Sequence, residues 1–312
     1  MKKIFIIGNG FDTAHGLHTS YEDFRRFLCD QYIVDEEMND AIVTIPEVSI
    51  GPKGDLVCDE DEVADFLIKI ISVAEPNSEY WSELEASLGR LDYSEVFDLL
   101  PDEFDEDGDL DDWKTVYNNE DMASTLMVVV PYIKEFFTEW INEIELCDIE
   151  VKRGFQKLVG ESDLFLTFNY TETLEACYAI KEENICHIHG KQGKEILFGH
   201  GNCNQHTDEY MRKFIGAEDM LDELDSFLRK DTKSALKEHS SFFEKIDQTV
   251  DAIYTVGFSF GDVDLIYIKE ICKKLSDKVV WYLNNYDSSK LPIYQSKIRQ
   301  CGFKGTFDTF SG

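Results

Sequence analysis

The stretch IFIIGNGFDTAHGLHTSY, residues 4–21, sets four β-branched or aromatic residues directly against Gly8-Asn9-Gly10. Thr19-Ser20 then precede Tyr21, Phe24, Phe27 and Leu28 at helical spacing. A buried strand over 2–8, a glycine turn and a capped helix are the opening unit of an α/β fold. Gly8 and Gly10 let the backbone pass close to a ligand, and N–H groups at a helix start attract phosphate. The redox-dinucleotide fingerprint, however, needs a third glycine where Thr13 stands, and an acidic residue ending a second strand where this sequence reads as helix. A hydride-transferring dehydrogenase is therefore disfavoured, and a tight turn with no ligand stays open.

Strand signals return at 164–168, 185–188, 196–198, 252–258 and 279–283, with helical stretches starting at 171, 207, 262 and 288. Strands alternating with helices predict a largely parallel, Rossmann-like sheet covered on both faces, with strand 2–8 near its centre. Residues 40–150 read differently. Val63, Phe66, Leu67, Ile70, Ile71 and Ala74 fall on one helical face, a second helix carries Trp81, Leu84, Leu88 and Leu91, and a third runs over 122–146 with a break at Pro131. Trp81 and Glu85, four apart, read either as core packing or as a pair reaching a ligand. The sequence thus predicts a nucleotide-binding core from 1–39 and 151–312, interrupted at 40–150 by a mainly helical insertion.

Within the insertion, eight of the eleven residues over 102–112 are acidic. Glu103, Asp105, Asp107 and Gly108 match early EF-hand positions, but Lys114 stands where a bidentate Glu is needed, so a solvated acidic loop is expected. A formal net charge of −33 repels phosphate backbones and anionic membranes. The eight cysteines include no CxxC pair, against a zinc ribbon or a thioredoxin-type site. No apolar run reaches bilayer length, and Ile4–Ile7 is too short for a signal-peptide core, so a cytoplasmic protein is expected.

Three further stretches bear chemistry. LFLTFNYTETLE, 164–175, delivers Asn169 to a strand's carboxyl end, as a turn residue or a ligand contact. ICHIHGKQGKEILFGHGN, 185–202, holds His187, His189 and His200. Strand alternation would put His187 and His189 on one face, which permits a metal site with His200 and a carboxylate, but no acidic cluster accompanies them. His189, followed by Gly190, reads as a general base or as a structural histidine. AIYTVGFSFGDVD, 252–264, contains GxSxG, yet no histidine follows Ser259, which excludes the hydrolase triad order.

Together, GNGFDTAHGLHTSYEDF, FNYTETLE, HIHG and GFSFGDVD resemble the bacteriophage abortive infection AbiH family, in that order and across most of the chain. More distantly they look like the sirtuin-type NAD-binding fold. That resemblance implies that Gly8 and Gly10 match the glycines of its GAG turn, Gly16-Leu17 the start of its Gly-Ile-Pro loop, Asn169 its essential Asn and His189 its catalytic His. Gly257 and Ser259 match its Gly-x-Ser turn. Two departures, the missing zinc cysteines and Thr171 where deacylases place Asp, point away from deacylation and toward the zinc-free branch similar to NAD glycohydrolases.

On this reading Asn169 and His189 are catalytic, and Gly8, Asn9, Gly10, Asp12, Gly16, Gly257, Ser259 and Asp262 hold the nucleotide. Asp12 would bond a ribose hydroxyl or cap a helix. No metal or separate cofactor is expected, NAD being substrate or ligand. Gly10, Asn169, His189 and Ser259 should share one cleft at the strands' carboxyl ends. A catalytically silent nucleotide sensor and a metal-dependent hydrolase using the three histidines are the alternatives. A homo-oligomer or a defence-system partner protein is left open.

Overall fold

A computed structural model of the protein describes residues 2–34, 43–75, 81–147, 149–204 and 206–311; the expected domain boundary at 39/40 lies outside them. The strands are β1 (Lys2–Ile7), β2 (Ser49–Ile50), β3 (Leu56–Val57), β4 (Leu164–Thr167), β5 (Ile185–His187), β6 (Val250–Val256), β7 (Val280–Asn284) and β8 (Thr306–Phe310). Six of them form one sheet in the order β5-β4-β1-β6-β7-β8, every ladder parallel, while β2 and β3 pair separately as an antiparallel hairpin. Counting only the sheet's strands along the chain, the order is 3-2-1-4-5-6, that of the doubly wound dinucleotide-binding folds. Its direction reverses between β1 and β6, the crevice where such sheets bind ligands.

The apolar run in β1 is needed because both faces of the sheet are covered. Ile4 and Ile6 enter one core with Leu164, Leu166, Ile253 and Trp281; Phe5 and Ile7 enter another with Phe165, Ala252 and Tyr254. Register places Phe5 opposite both Phe165 and Tyr254, and Tyr254 opposite Tyr282. Their rings stack at 5.0, 5.3 and 4.6 Å, an aromatic ladder across four neighbouring strands. Each such pair contributes about 0.5–1.5 kcal/mol beyond area burial, which favours this register over a one-residue slip.

Two strand expectations need correction. Residues 196–198 do not join the sheet, although the Leu197 N–H bonds the His189 carbonyl at 2.8 Å. They lie between Gly190 at φ +83° and Gly199 at φ +147°, which bend the chain away from strand geometry. Conversely β8, TFDTF, was not expected: its side chains are half-buried or exposed, without the apolar run that marks the other strands.

The chain divides into two compact units, Met1–Ser20 with Ile141–Leu197 and Asp231–Gly312, and Tyr21–Trp140 with Phe198–Lys230. The six-stranded sheet belongs to the first. In the second, Asp59 caps helix Glu60–Ala74 by accepting the N–H groups of Asp61 and Glu62, and Val63, Phe66, Leu67, Ile70 and Ile71 are buried. Trp81 is fully buried, its Nε1 donating to Ser72 Oγ at 3.2 Å, and Glu85 pairs with Lys230 at 2.5 Å. The helix expected over 122–146 is two, Asp112–Val129 and Tyr132–Glu143, separated at Pro131, which lacks the N–H to continue the ladder. Among the described residues no helix is long and apolar enough to cross a membrane.

Candidate active site

Gly10, Asn169, His189 and Ser259 each lie two or three residues beyond the carboxyl end of β1, β4, β5 and β6 respectively. The turns after β1 and β6 press against each other. A Cβ on Gly8 would lie 2.6 Å from the Gly257 carbonyl oxygen, one on Gly10 2.7 Å from Gly257 Cα, and one on Gly257 2.2 Å from the Phe11 nitrogen. The N–H groups are committed too: Gly8 donates to the Val256 carbonyl, Gly10 to that of Gly257 and Phe11 to that of Gly8. All three glycines are therefore explained by close approach of backbone to backbone at the switch point, without a ligand.

The other glycine-turn residues have local roles. Asn9 Nδ2 donates to the Thr19 carbonyl at 2.7 Å. Gly16, at φ +82°, ends the short helix Gly10–Ala14; its N–H meets the Thr13 carbonyl, and that of Leu17 meets Asp12. Ser259 is exposed. Asp262 is 86 % exposed, and Lys297 Nζ meets its carboxylate at 2.8 Å.

The buried polar side chains form two groups. In the first, Asp12 on the short helix is 1 % exposed; Thr171 donates to its Oδ2, and Thr173 Oγ1 lies 3.0 Å from that of Thr171. Burial pushes the Asp12 carboxyl up from its ordinary 3.8 to about 6, against the lowering effect of hydrogen bonds from Thr171, Thr173 and Asn169 and the charge of His187. Asn169 is 5 % exposed and close enough to favour the Asp12 carboxylate, yet Asp12 Oδ1 and both amide atoms of Asn169 lack a partner of good hydrogen-bond geometry.

His187 supports this group from β5. Its Nδ1 lies 3.2 Å from the Asn169 carbonyl and its Nε2 2.9 Å from Glu175 Oε1. Burial alone would raise the Glu175 carboxyl, but the bond and charge of His187 hold it below the usual carboxylate range. His187 also lines a cavity of 510 Å³ beside β5 with Gly190, Lys191, Lys194 and His239.

The second group centres on His189, 2 % exposed, whose Nε2 lies 3.2 Å from Asp264 Oδ1. Phe168 and Tyr267 hold the imidazole edge-on at 5.3 and 5.8 Å. The expectation that His187 and His189 project to one face is corrected here. β5 ends at His187, so strand alternation no longer governs His189, and the rings turn to different partners. His200 belongs to the second unit, where Nε2 meets the Asp225 carbonyl at 3.0 Å and Nδ1 accepts the Asn202 N–H at 3.1 Å, occupying both ring nitrogens. Among the described residues no cluster of three His, Cys, Asp or Glu is disposed to hold a metal.

Sequence reading missed Asp264, Thr171 and Glu175. The GDVD string offers two acids, and only the turn Asp262–Asp264 leading into helix Leu265–Cys272 makes the second one the buried partner.

Asp12 gives a sharp stability test. Its folded-state value lies above its ordinary one, so between pH 3.8 and about 6 the folded protein keeps a proton that the unfolded chain releases. Stability therefore falls as pH rises through that window, and the penalty is complete above it. Asp12→Asn keeps an acceptor for Thr171 and removes the charge. It should stabilise the protein by on the order of 2 kcal/mol at pH 7.5, with the gain vanishing near pH 4. Urea unfolding at both pH values measures this; equal effects at the two would show that burial does not strain the carboxylate.

A sequence model of the family described as Bacteriophage abortive infection AbiH matches residues 4–285. No curated protein and no solved structure matches the chain. The matched segment contains the glycine turn, Asp12, Asn169, His187, His189 and GFSFGDVD, and with most of the chain covered the protein belongs to the bacteriophage abortive infection AbiH family, whose role is defence against phage.

Proposed function

We propose that the protein is a NAD glycohydrolase: water and oxidised NAD, whose nicotinamide ring alone is cationic, give nicotinamide, ADP-ribose and a proton. The observation that carries this reading is the buried Asp12 carboxyl beside the buried Asn169 carboxamide, at the carboxyl edge of a sheet with dinucleotide-fold order, where Asp12 Oδ1 and both amide atoms lack a partner of good hydrogen-bond geometry. A buried unsatisfied polar group costs about 1–3 kcal/mol, so a carboxyl and a carboxamide buried side by side in poor mutual geometry favour a polar occupant. A ribose with its hydroxyls, and the attacking water, supply the matching donors and acceptors.

The chemistry asks little more. Nicotinamide in oxidised NAD is already a cationic nitrogen leaving group, so departure needs no proton, only stabilisation of an oxocarbenium-like ribose and delivery of water. Asp12, at about 6, is mostly ionised at neutral pH and supplies negative charge in a low-dielectric setting. Asn169 orients the ribose and the water, and His189, steadied by Asp264, accepts the proton that water loses. Because unchecked loss of NAD would kill the host, activity is restrained until infection.

The test is nicotinamide release. Purified protein is incubated with NAD, and NAD is followed in expressing cells after phage infection. Wild type should release nicotinamide above buffer in at least one setting, and Asn169→Ala in neither. A protein that binds NAD yet releases none in both settings is a silent nucleotide sensor, and the glycohydrolase reading fails.

A further inference from the structure

A second surface, in the other compact unit and independent of NAD, combines exposed aromatic side chains with concentrated negative charge. Residues 103–111 form a small hairpin: Phe104 and Leu110 pair in an antiparallel bridge, and the Asp111 N–H meets the Glu103 carbonyl at 2.8 Å. Gly108 turns the tip at φ +87°, and Asp105 Oδ1 locks it by accepting the N–H groups of Asp107 and Asp109. Asp111 then caps helix Asp112–Val129, accepting the Lys114 N–H at 3.1 Å.

The apolar residues of this segment face out. Phe104 is 56 %, Leu110 58 %, Trp113 75 % and Tyr117 60 % exposed. Phe104 and Leu110 are directly opposite across the bridge, and Trp113 and Tyr117 are one helical turn apart. They are not needed for the fold, because the helix buries a different set, Asn119, Ala123, Leu126 and Val129. Large exposed apolar side chains concentrated in one short segment, 104–117, mark an interaction surface, and Trp and Tyr are the residues that dominate binding energy. Around them stand eight carboxylates over 102–112, with Lys114 near those of Glu103 and Asp111, at 3.6 and 3.7 Å.

We propose that this hairpin-and-helix surface docks a basic segment of another protein that carries apolar side chains along one face. Charge complementarity selects the occupant. A second copy of a chain at −33 would bring like charge to like, and an anionic bilayer would be repelled, whereas a Lys/Arg-rich amphipathic segment satisfies both the acids and the aromatic patch.

The probe is a fluorescent amphipathic peptide with Lys on one helical face and Leu on the other, titrated into the full chain by anisotropy at low and physiological salt. Wild type should bind it saturably and more weakly as salt rises. Trp113→Ser/Tyr117→Ser, exposed positions whose replacement leaves the core intact, should weaken binding by ~10-fold or more. Glu106→Lys/Asp107→Lys, which spares the turn-locking Asp105, should weaken it as well. A Lys/Ser peptide of equal charge should bind worse than the Lys/Leu one. The proposal is overturned if the peptide does not bind, if Trp113→Ser/Tyr117→Ser binds as wild type does, or if sedimentation shows a wild-type dimer that this variant dissolves.

Discussion

His189→Ala is expected to lower nicotinamide release by ~10²–10⁴-fold, the range a positioned general base contributes, while leaving nucleotide binding and the fold in place. The side chain is only 2 % exposed, and its Nε2 faces Asp264 Oδ1 at 3.2 Å between the rings of Phe168 and Tyr267. A carboxylate beside an imidazole fixes its orientation and steadies the charge it gains on accepting a proton. Asp264→Asn should therefore lose less activity than His189→Ala and move the pH dependence of the rate, an effect that packing alone would not produce. Thermal melts and calorimetric titration with NAD separate lost chemistry from lost structure. Full activity in folded His189→Ala would remove this histidine from the mechanism.

Much of the framework was legible because it is written in local pattern. β1, β4, β6 and β7 carry β-branched and aromatic runs bounded by turn residues, and the alternation of strands with helices dictates parallel pairing. What was not legible depends on distant contact. Residues 198–230 pack with 21–140 in the second unit, a division that no turn or composition change announces. Asp264 and Asp262 are indistinguishable as letters, yet one faces His189 and the other Lys297 at the surface. The environment of Asp12 is built from Thr171, Thr173 and Asn169, more than 150 residues away in sequence, so its raised carboxyl value has no local signature. Ile196-Leu197-Phe198 misled for the opposite reason: its composition is strand-like, but Gly190 and Gly199 at positive φ set its path.

Gly257→Ala should destabilise the protein by about 3–5 kcal/mol, among the larger effects a single methyl can have. Two costs combine. At φ +65° an alanine meets the left-handed penalty of roughly 1–2 kcal/mol. Its Cβ would also lie 2.2 Å from the Phe11 nitrogen and 2.4 Å from the Gly10 carbonyl carbon. Those are backbone atoms, tied to β6 through Gly10 N–H to the Gly257 carbonyl and through the pairing of Ile7 with Val256, so relief requires moving the end of the central strand. Gly16→Ala is the matched control: its φ is +82°, but no atom lies within 4 Å of the added Cβ, so only the conformational penalty of roughly 1–2 kcal/mol applies. The difference between the two in urea unfolding isolates the clash between the turns. If Gly257→Ala costs no more than Gly16→Ala, the turns are not tightly apposed. If it folds as stably as wild type but no longer binds NAD, the close approach at Gly257 is to the ligand rather than to the first turn.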